Sequence, residues 1–419
     1  MRSASTTALS SNLPGNPQAT LALPPDAPAA ARAVFALLRR LQVGTLDVQL
    51  PDGSQLHCGT GRAGEPHAAL RLHNWNLCSA ALRSGDIGVA ESFIAGDWAA
   101  NDLVALLQLC IANRDAMDTL VYGTWWGSLI HRLRHLFNRN SRAGSKRNIH
   151  AHYDLGNSFY RLWLDGSMTY SSAWFNGDTA QDTATAQRAK MRRALSECHV
   201  TPASHVLEIG CGWGGLAECA ARDFGARVTG VTLSAEQLAF GQQRLAAAGL
   251  GARAQLRFQD YRDIADGPYD AIVSIEMFEA VGREYWASYF KTVHDQLKPG
   301  GRACIQSITI DDALFERYVG GTDFIQQYIF PGGLLPSPAA FRAEAAKAGL
   351  QVERELHFGC DYAETLRRWR QDFLHQDTQV RGLGFDTRFM RTWEFYLAYC
   401  EAAFASGNTD VMQFTLRRP

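Results

Sequence analysis

From His205 to Ile310 the chain alternates short apolar β runs with stretches of helical periodicity, and this alternation limits the possible folds more than any other feature. The β runs fall at 205–209, 227–232, 255–260, 269–275 and 303–310, while helical spacing marks 214–224, 235–248 and 283–297. Repeated βα units cover both faces of a parallel sheet and cross over right-handed, so the expected fold class is α/β, a doubly wound sheet. Ligands of such sheets bind in the crevice beyond the carboxyl ends of the strands. Functional side chains are therefore expected at those ends.

The first run ends in Glu208-Ile209-Gly210-Cys211-Gly212-Trp213-Gly214-Gly215 and passes directly into a helix. Glycines at alternate positions let the backbone turn sharply and let a ligand meet its amides with no Cβ in the way. A tight βα turn would account for the glycines alone. The strand before, the helix after and the acid at Glu208 together point to a nucleotide-type cofactor. A dinucleotide site would show G-x-G-x-x-G with an acid about 20 residues on. Here the spacing is G-x-G-x-G, and the second strand ends in Gly230-Val231-Thr232-Leu233-Ser234, with hydroxyls where that acid would stand. NAD is thereby disfavoured. The loop resembles motif I of class I S-adenosylmethionine methyltransferases. That resemblance implies that Glu208 helps hold the methionyl end of the cofactor, and that Asp260, closing the third strand, accepts from the adenine amino group.

The 419 residues, 46% hydrophobic and 20% charged, exceed what one hydrophobic core usually serves. The expected organisation is a disordered tail over 1–30, a smaller, mostly helical N-terminal domain over 31–130, a basic linker over 131–150 and the doubly wound domain over 151–419. Within the first 113 residues, helical spacing covers 29–41 and 75–113, and a strand, turn, strand is expected at 45–50 and 55–57 around Pro51-Asp52-Gly53. With 41 basic and 42 acidic side chains, the chain lacks the broadly basic character of nucleic-acid binders, and no such partner is expected. The linker is locally different: Arg132, Arg134, Arg139, Arg142, Lys146 and Arg147 occur there without an acid, beside Leu133, Leu136 and Phe137. A solvated face explains such a run as well as attraction to anionic headgroups does, the latter worth on the order of 1 kcal/mol per basic residue. The nine cysteines are scattered without metal-site spacing, so a reducing, cytoplasmic setting and no metal are expected. No signal-peptide pattern opens the chain, and no apolar run approaches the roughly 18 residues of a spanning helix. Any membrane contact is expected to be peripheral, at the inner face.

Six segments around the loop are far more specific than the loop itself. His152-Tyr153-Asp154-Leu155-Gly156-Asn157, Trp163-Leu164-Asp165, Met168-Thr169-Tyr170-Ser171-Ser172-Ala173, Gly230-Val231-Thr232-Leu233-Ser234-Ala235-Glu236-Gln237, Met277-Phe278-Glu279-Ala280-Val281-Gly282 and Tyr328-Ile329-Phe330-Pro331-Gly332-Gly333-Leu334-Leu335-Pro336-Ser337 follow in this order. Together they resemble the cyclopropane-fatty-acyl-phospholipid synthase family over nearly all of 148–419. The resemblance implies a Rossmann-like class I methyltransferase domain, a lipid-associated N-terminal domain and S-adenosylmethionine as cofactor. It further implies addition of a methylene across the cis double bond of an unsaturated phospholipid acyl chain at a membrane surface, giving a cyclopropane fatty acid, with a homodimer as a candidate assembly. Cofactor contacts are placed by it at Tyr170, Ser171, Glu208, Gly210, Gly212, Gly214, Thr232, Leu233, Ser234, Gln237, Asp260 and Tyr261.

An isolated alkene is a poor nucleophile, and its attack on a sulfonium methyl leaves a carbocation that no heteroatom stabilises. The site must offer electron density and then accept one proton. Aromatic faces do the first, at about 0.5–2 kcal/mol each, and the resemblance puts Tyr170 at such a position. For the second, the family uses a bound bicarbonate. Carried over residue by residue, its holders are Glu279, Tyr362 and Ile308, with Ser172 in place of a Cys and Gln306 in place of a His. Gln306 can donate a hydrogen bond but carries no charge. Ala280 also stands where the family commonly has a His. These departures resemble a branch containing plant-type cyclopropane synthases and bacterial enzymes that make methyl-branched or methylene fatty acids. Both products therefore stay open: the same cation closes a ring by losing a methyl proton, or undergoes a hydride shift and loses a different one. Taken singly, Glu279 would cap the next helix and Tyr362 would be a core tyrosine; the ordered motifs give both a site role. Two competing readings are a methyltransferase for a soluble small molecule and a non-catalytic paralogue. The basic linker and the 328–337 segment speak against the first, and the intact Glu208, glycine loop, Glu279 and Tyr362 against the second.

Overall fold

A computed structural model of the chain describes residues 23–114, 117 and 155–419. The basic linker and the segment 152–154 lie outside the described residues, as does 1–22 of the expected tail. The last part of that tail is built into the fold. Ala27 is buried, its amide donates to the Pro24 carbonyl at 3.0 Å, and its own carbonyl accepts from Arg32 Nε at 3.0 Å. The turn at Pro24-Pro25-Asp26 thus docks the start of the helix Ala29–Leu38.

The N-terminal region has a four-stranded sheet, β1 (Thr45–Gln49), β2 (Gln55–Gly59), β3 (His67–Leu72) and β4 (Trp98–Ala100), in the order β2-β1-β3-β4. The expected hairpin is present, with Leu46 opposite Cys58 and Val48 opposite Leu56. β3 runs parallel to β1, and β4 closes the other edge. The helices Ala29–Leu38, Asn76–Ala95 and Leu103–Ala112 outweigh these strands. The second of them bends at Gly85 (φ 60, ψ −133), a conformation open to glycine.

Seven strands form the large sheet: β5 (His205–Ile209), β6 (Arg227–Thr232), β7 (Ala254–Phe258), β8 (Tyr269–Ile275), β9 (Leu297–Ile310), β10 (Gln351–His357) and β11 (Thr409–Arg417), in the order β10-β11-β9-β8-β5-β6-β7. From β9 to β7 neighbours are parallel, and β11 lies antiparallel between β9 and β10. Val206, Leu207, Ile272 and Val273 are all buried, as strands covered on both faces require. Met191, Leu195 and Leu216 pack on one face, while Trp286, Phe290 and Phe341 pack on the other. The strand order reverses between β5 and β8, so the crevice lies beyond Ile209 and Ile275.

The helix Thr387–Ala405 packs against the helices Asn76–Ala95 and Leu103–Ala112 on one side and Gly359–His375 on the other. The Phe93 and Phe395 rings meet at 5.7 Å across that seam. The last helix of the chain therefore belongs to the core of the N-terminal region as much as to its own domain.

Candidate active site

A cavity of about 180 Å³ opens at the β5/β8 switch point. Of the expected cofactor residues, Tyr170, Ser171, Glu208, Gly210, Gly212, Thr232, Leu233, Gln237, Asp260 and Tyr261 line it. Gly214 and Ser234 are not among its lining residues, and both have structural tasks. Gly214 (φ 81) starts the helix Gly215–Asp223, and a Cβ there would stand 3.2 Å from the Gly241 Cα. The Ser234 hydroxyl caps the helix Ala235–Ala247 by accepting from the Gln237 amide at 3.2 Å.

The cavity suits a cationic cofactor. Glu208 is buried, its Oε2 has no partner among the described residues, and burial pushes its carboxyl well above the usual range. A positive ligand group alongside would satisfy the oxygen and favour the ionised form. At Gly212 (φ 48) nothing stands within 4 Å of where a Cβ would point, so the backbone is open to a ligand. Asp260 is held by its neighbour Arg262, with Nε on Oδ1 at 2.8 Å and Nη2 on Oδ2 at 2.5 Å. That fork fixes the carboxylate at the cavity wall.

Three of the groups expected to hold bicarbonate, Ser172, Gln306 and Tyr362, converge on a carboxylate of the chain itself. Glu276 directly follows β8. Its Oε1 accepts from the Ser172 amide at 2.8 Å and Gln306 Nε2 at 2.7 Å, and its Oε2 accepts from the Tyr362 hydroxyl at 2.7 Å. Its φ of 49° is left-handed, a conformation that costs on the order of 1–3 kcal/mol in a non-glycine residue and persists where the surroundings over-determine it. Gln306 has one orientation here: its Oε1 accepts from Gln413 Nε2 at 3.0 Å, and Gln413 Oε1 accepts from Arg193 at 2.5 Å. The Ser172 hydroxyl turns to the Ala173 carbonyl at 2.9 Å, so Ser172 contributes its amide to Glu276.

Burial raises the Glu276 pKa, while Lys190, Tyr362, the Ser172 amide and Gln306 pull it back down. Lys190 is fully buried, donates to the Ser171 hydroxyl at 2.5 Å and is pushed down to about 8 by that burial. Glu276 and Lys190 both line the cofactor cavity. Neither is legible in the sequence, because Glu276 stands just before the 277–282 motif and because Lys190 looks like any lysine on a helix. The available signal for Glu276 is an acid at the carboxyl end of a strand beside the switch point.

Glu279, expected among the holders of the base, lies apart from those three donors. Its Oε1 accepts from the Ile308 amide and from the Ser307 hydroxyl at 3.2 Å, and its Oε2 is buried without a partner among the described residues. Burial and the Glu276 charge push it up to about 8, so it is mostly protonated near neutrality. Ile308 accordingly serves Glu279, while Ser172, Gln306 and Tyr362 serve Glu276. Tyr170 lines the cavity with its ring 5.4–5.5 Å from those of Tyr160, Trp163 and Trp369, and its hydroxyl lies 2.7 Å from that of Tyr396. This aromatic cage stands beside a buried carboxylate and a cofactor crevice.

The mycolic acid cyclopropane synthetase family matches residues 140–414. The chain belongs to that family. It is 40% identical over 406 residues to the tuberculostearic acid methyltransferase UfaA1 of Mycobacterium tuberculosis, covering 94% of this chain and 93% of that one. With the cyclopropane-fatty-acyl-phospholipid synthase of Escherichia coli it shares 32% identity over 355 residues, 85% of this chain and 89% of that one. Among solved structures, mycolic acid cyclopropane synthase CmaA1 complexed with SAH and CTAB matches with a TM-score of 0.61 and 32% identity, over 65% of this chain and 98% of that chain. This member of the family is an S-adenosylmethionine-dependent methyltransferase. Among its described residues no helix is long and apolar enough to cross a membrane.

Proposed function

We propose that this methyltransferase transfers a one-carbon unit to the cis double bond of an unsaturated phospholipid acyl chain, working peripherally at the cytoplasmic face of a membrane, and that Glu276 accepts the proton that ends the reaction. The observation that carries this reading is the Glu276 carboxylate, fixed by Ser172, Gln306 and Tyr362 at the wall of the cofactor cavity. When bound, S-adenosylmethionine supplies an electrophilic methyl group. Glu208, Gly210 and Gly212 bind its polar end, and Thr232, Leu233, Gln237, Asp260 and Tyr261 hold the rest against the sheet edge. The ring of Tyr170 offers π density to the substrate carbon that becomes cationic. Lys190 keeps Glu276 ionised, and three donors keep it from swinging. The carboxylate then takes a proton from the newly added methyl carbon, whose C–H electrons form the final carbon–carbon bond. Held by the chain, this base makes a bound bicarbonate unnecessary.

Two products share that last step. If the C–H electrons close onto the adjacent cation, a cyclopropane forms. If a 1,2-hydride shift first moves the cation to the carbon bearing the methyl, the same proton loss gives a methylene branch. The 40% identity to a tuberculostearic acid methyltransferase over nearly the whole chain favours the branched outcome over ring closure. Expression in a host lacking both kinds of lipid, followed by mass spectrometry of fatty acid methyl esters, tests the reading. Monounsaturated esters should give way to products one CH₂ heavier. Ozonolysis would convert a methylene branch to a ketone and leave a cyclopropane intact. An unchanged ester profile, with labelled methyl groups appearing in a water-soluble acceptor, would overturn the acyl-chain assignment.

A further inference from the structure

A second cavity, of about 650 Å³, lies between the N-terminal region and the helices Asp312–Val319 and Thr387–Ala405. It falls within the roughly 300–1,000 Å³ of ligand pockets. Phe35, Leu46, Leu72 and Leu106 form its wall on one side, and Leu314 and Phe395 on the other. With apolar side chains on both sides, a partly open pocket of this size has room for an apolar ligand.

The cavity sits back to back with the catalytic site. On the helix Thr387–Ala405, Tyr396 reaches the Tyr170 hydroxyl while Phe395 and Tyr399 face the second cavity. Tyr318 and Leu335 also line it. The Leu335 amide donates to the Tyr318 hydroxyl at 3.2 Å, and the adjacent Leu334 amide donates to the Glu279 carbonyl at 2.9 Å. Its two acids are engaged in holding the seam. Asp86 accepts from the Phe324 amide at 3.2 Å and the Tyr399 hydroxyl at 2.9 Å, and Asp323 caps the helix Phe324–Tyr328. Two guanidinium groups, Arg114 and Arg317, border the same space.

We infer that this cavity shelters the second acyl chain of the phospholipid whose first chain is being alkylated. The inference rests on the acyl-chain reading above. A diacyl lipid drawn from a bilayer brings two chains tied at one glycerol, and the catalytic site takes one. The apolar walls suit the other, and Arg114 and Arg317 supply positive charge for the phosphate.

Ala81 lines this cavity and is not among the residues lining the cofactor cavity, so Ala81→Phe fills the second cavity from within. With dioleoyl-phosphatidylglycerol in mixed micelles, Ala81→Phe should raise KM at least about tenfold, the scale of excluded methylenes. With 1-oleoyl-lysophosphatidylglycerol, which has one chain, KM should not change. Equal shifts for the two lipids, or none, overturn the inference. If the wild type alkylates neither lipid, the acyl-chain reading itself has failed. A second measurement needs no substitution. Cys110 lines the cavity, and its modification by N-ethylmaleimide in the wild type, followed by peptide mass spectrometry, should be slowed by the diacyl lipid and not by the single-chain lipid. Equal protection by both lipids, or by neither, again removes the second-chain site.

Discussion

At the residue scale the chemistry turns on Glu276, a buried acid kept available for protonation by the groups around it. Glu276→Gln keeps the shape and loses the base, so turnover should fall by about 10²-fold or more. Affinity for S-adenosylmethionine, read by calorimetry, should stay unchanged; a variant with full turnover would show that the proton leaves by another route. Wild-type turnover should be indifferent to bicarbonate, because the three donors are already occupied. Glu276→Gly vacates them and suits the left-handed backbone, so its activity should return on adding bicarbonate. Lys190 sets the pH range. Its cation favours the ionised base, so Lys190→Met should raise the Glu276 pKa and move the acid limb of the kcat profile upward by at least about one pH unit. An unmoved limb would reduce Lys190 to packing. Gly212→Val puts a branched side chain into open space on the ligand side at a φ of 48°, and should abolish cofactor binding in a folded protein. Calorimetric titration decides that too.

At the scale of elements, the bend at Gly85 turns the following residue, Asp86, into the seam, where it takes the Phe324 amide and the Tyr399 hydroxyl. Burial, with Asp323 nearby, pushes its carboxyl up from 3.8 to about 7. Between those values the folded chain holds a proton that the unfolded chain releases, so this group's contribution to stability falls as pH rises through the window. Asp86→Asn removes the titration while keeping a side-chain acceptor. Its melting temperature relative to wild type should therefore be higher at pH 8 than at pH 5, and a pH-independent difference would contradict the assignment. Legibility also varies by element. β5, β6 and β8 are readable because both faces are covered, which gathers apolar, mostly β-branched residues such as Val206, Leu207, Val228, Val231, Ile272 and Val273 into short runs. β10 is a partly exposed edge strand with no apolar run, and β4 has three residues, too few for any period to show.

At the scale of the whole molecule, composition suggests a boundary at the linker, yet the last helix crosses back to complete the N-terminal core. Its aromatic residues form one wall of the cage and one wall of the second cavity. The doubly wound class, the cofactor loop and the family are determined by the sequence alone, because they depend on local periodicity and on short contiguous motifs. Ser172, Gln306 and Tyr362 can also be picked out in that way. What they bind cannot, because Glu276 lies 104, 30 and 86 residues from them along the chain. They meet only when β8 and β9 pair in register and the helix Gly359–His375 folds over their ends. The same holds for Lys190, whose helix has to be packed against the sheet before its charge is buried beside that acid. Tertiary structure alone decided which carboxylate sits among those donors, because hydrogen bonds and burial depend on distance in space, and separation along the chain carries no such information.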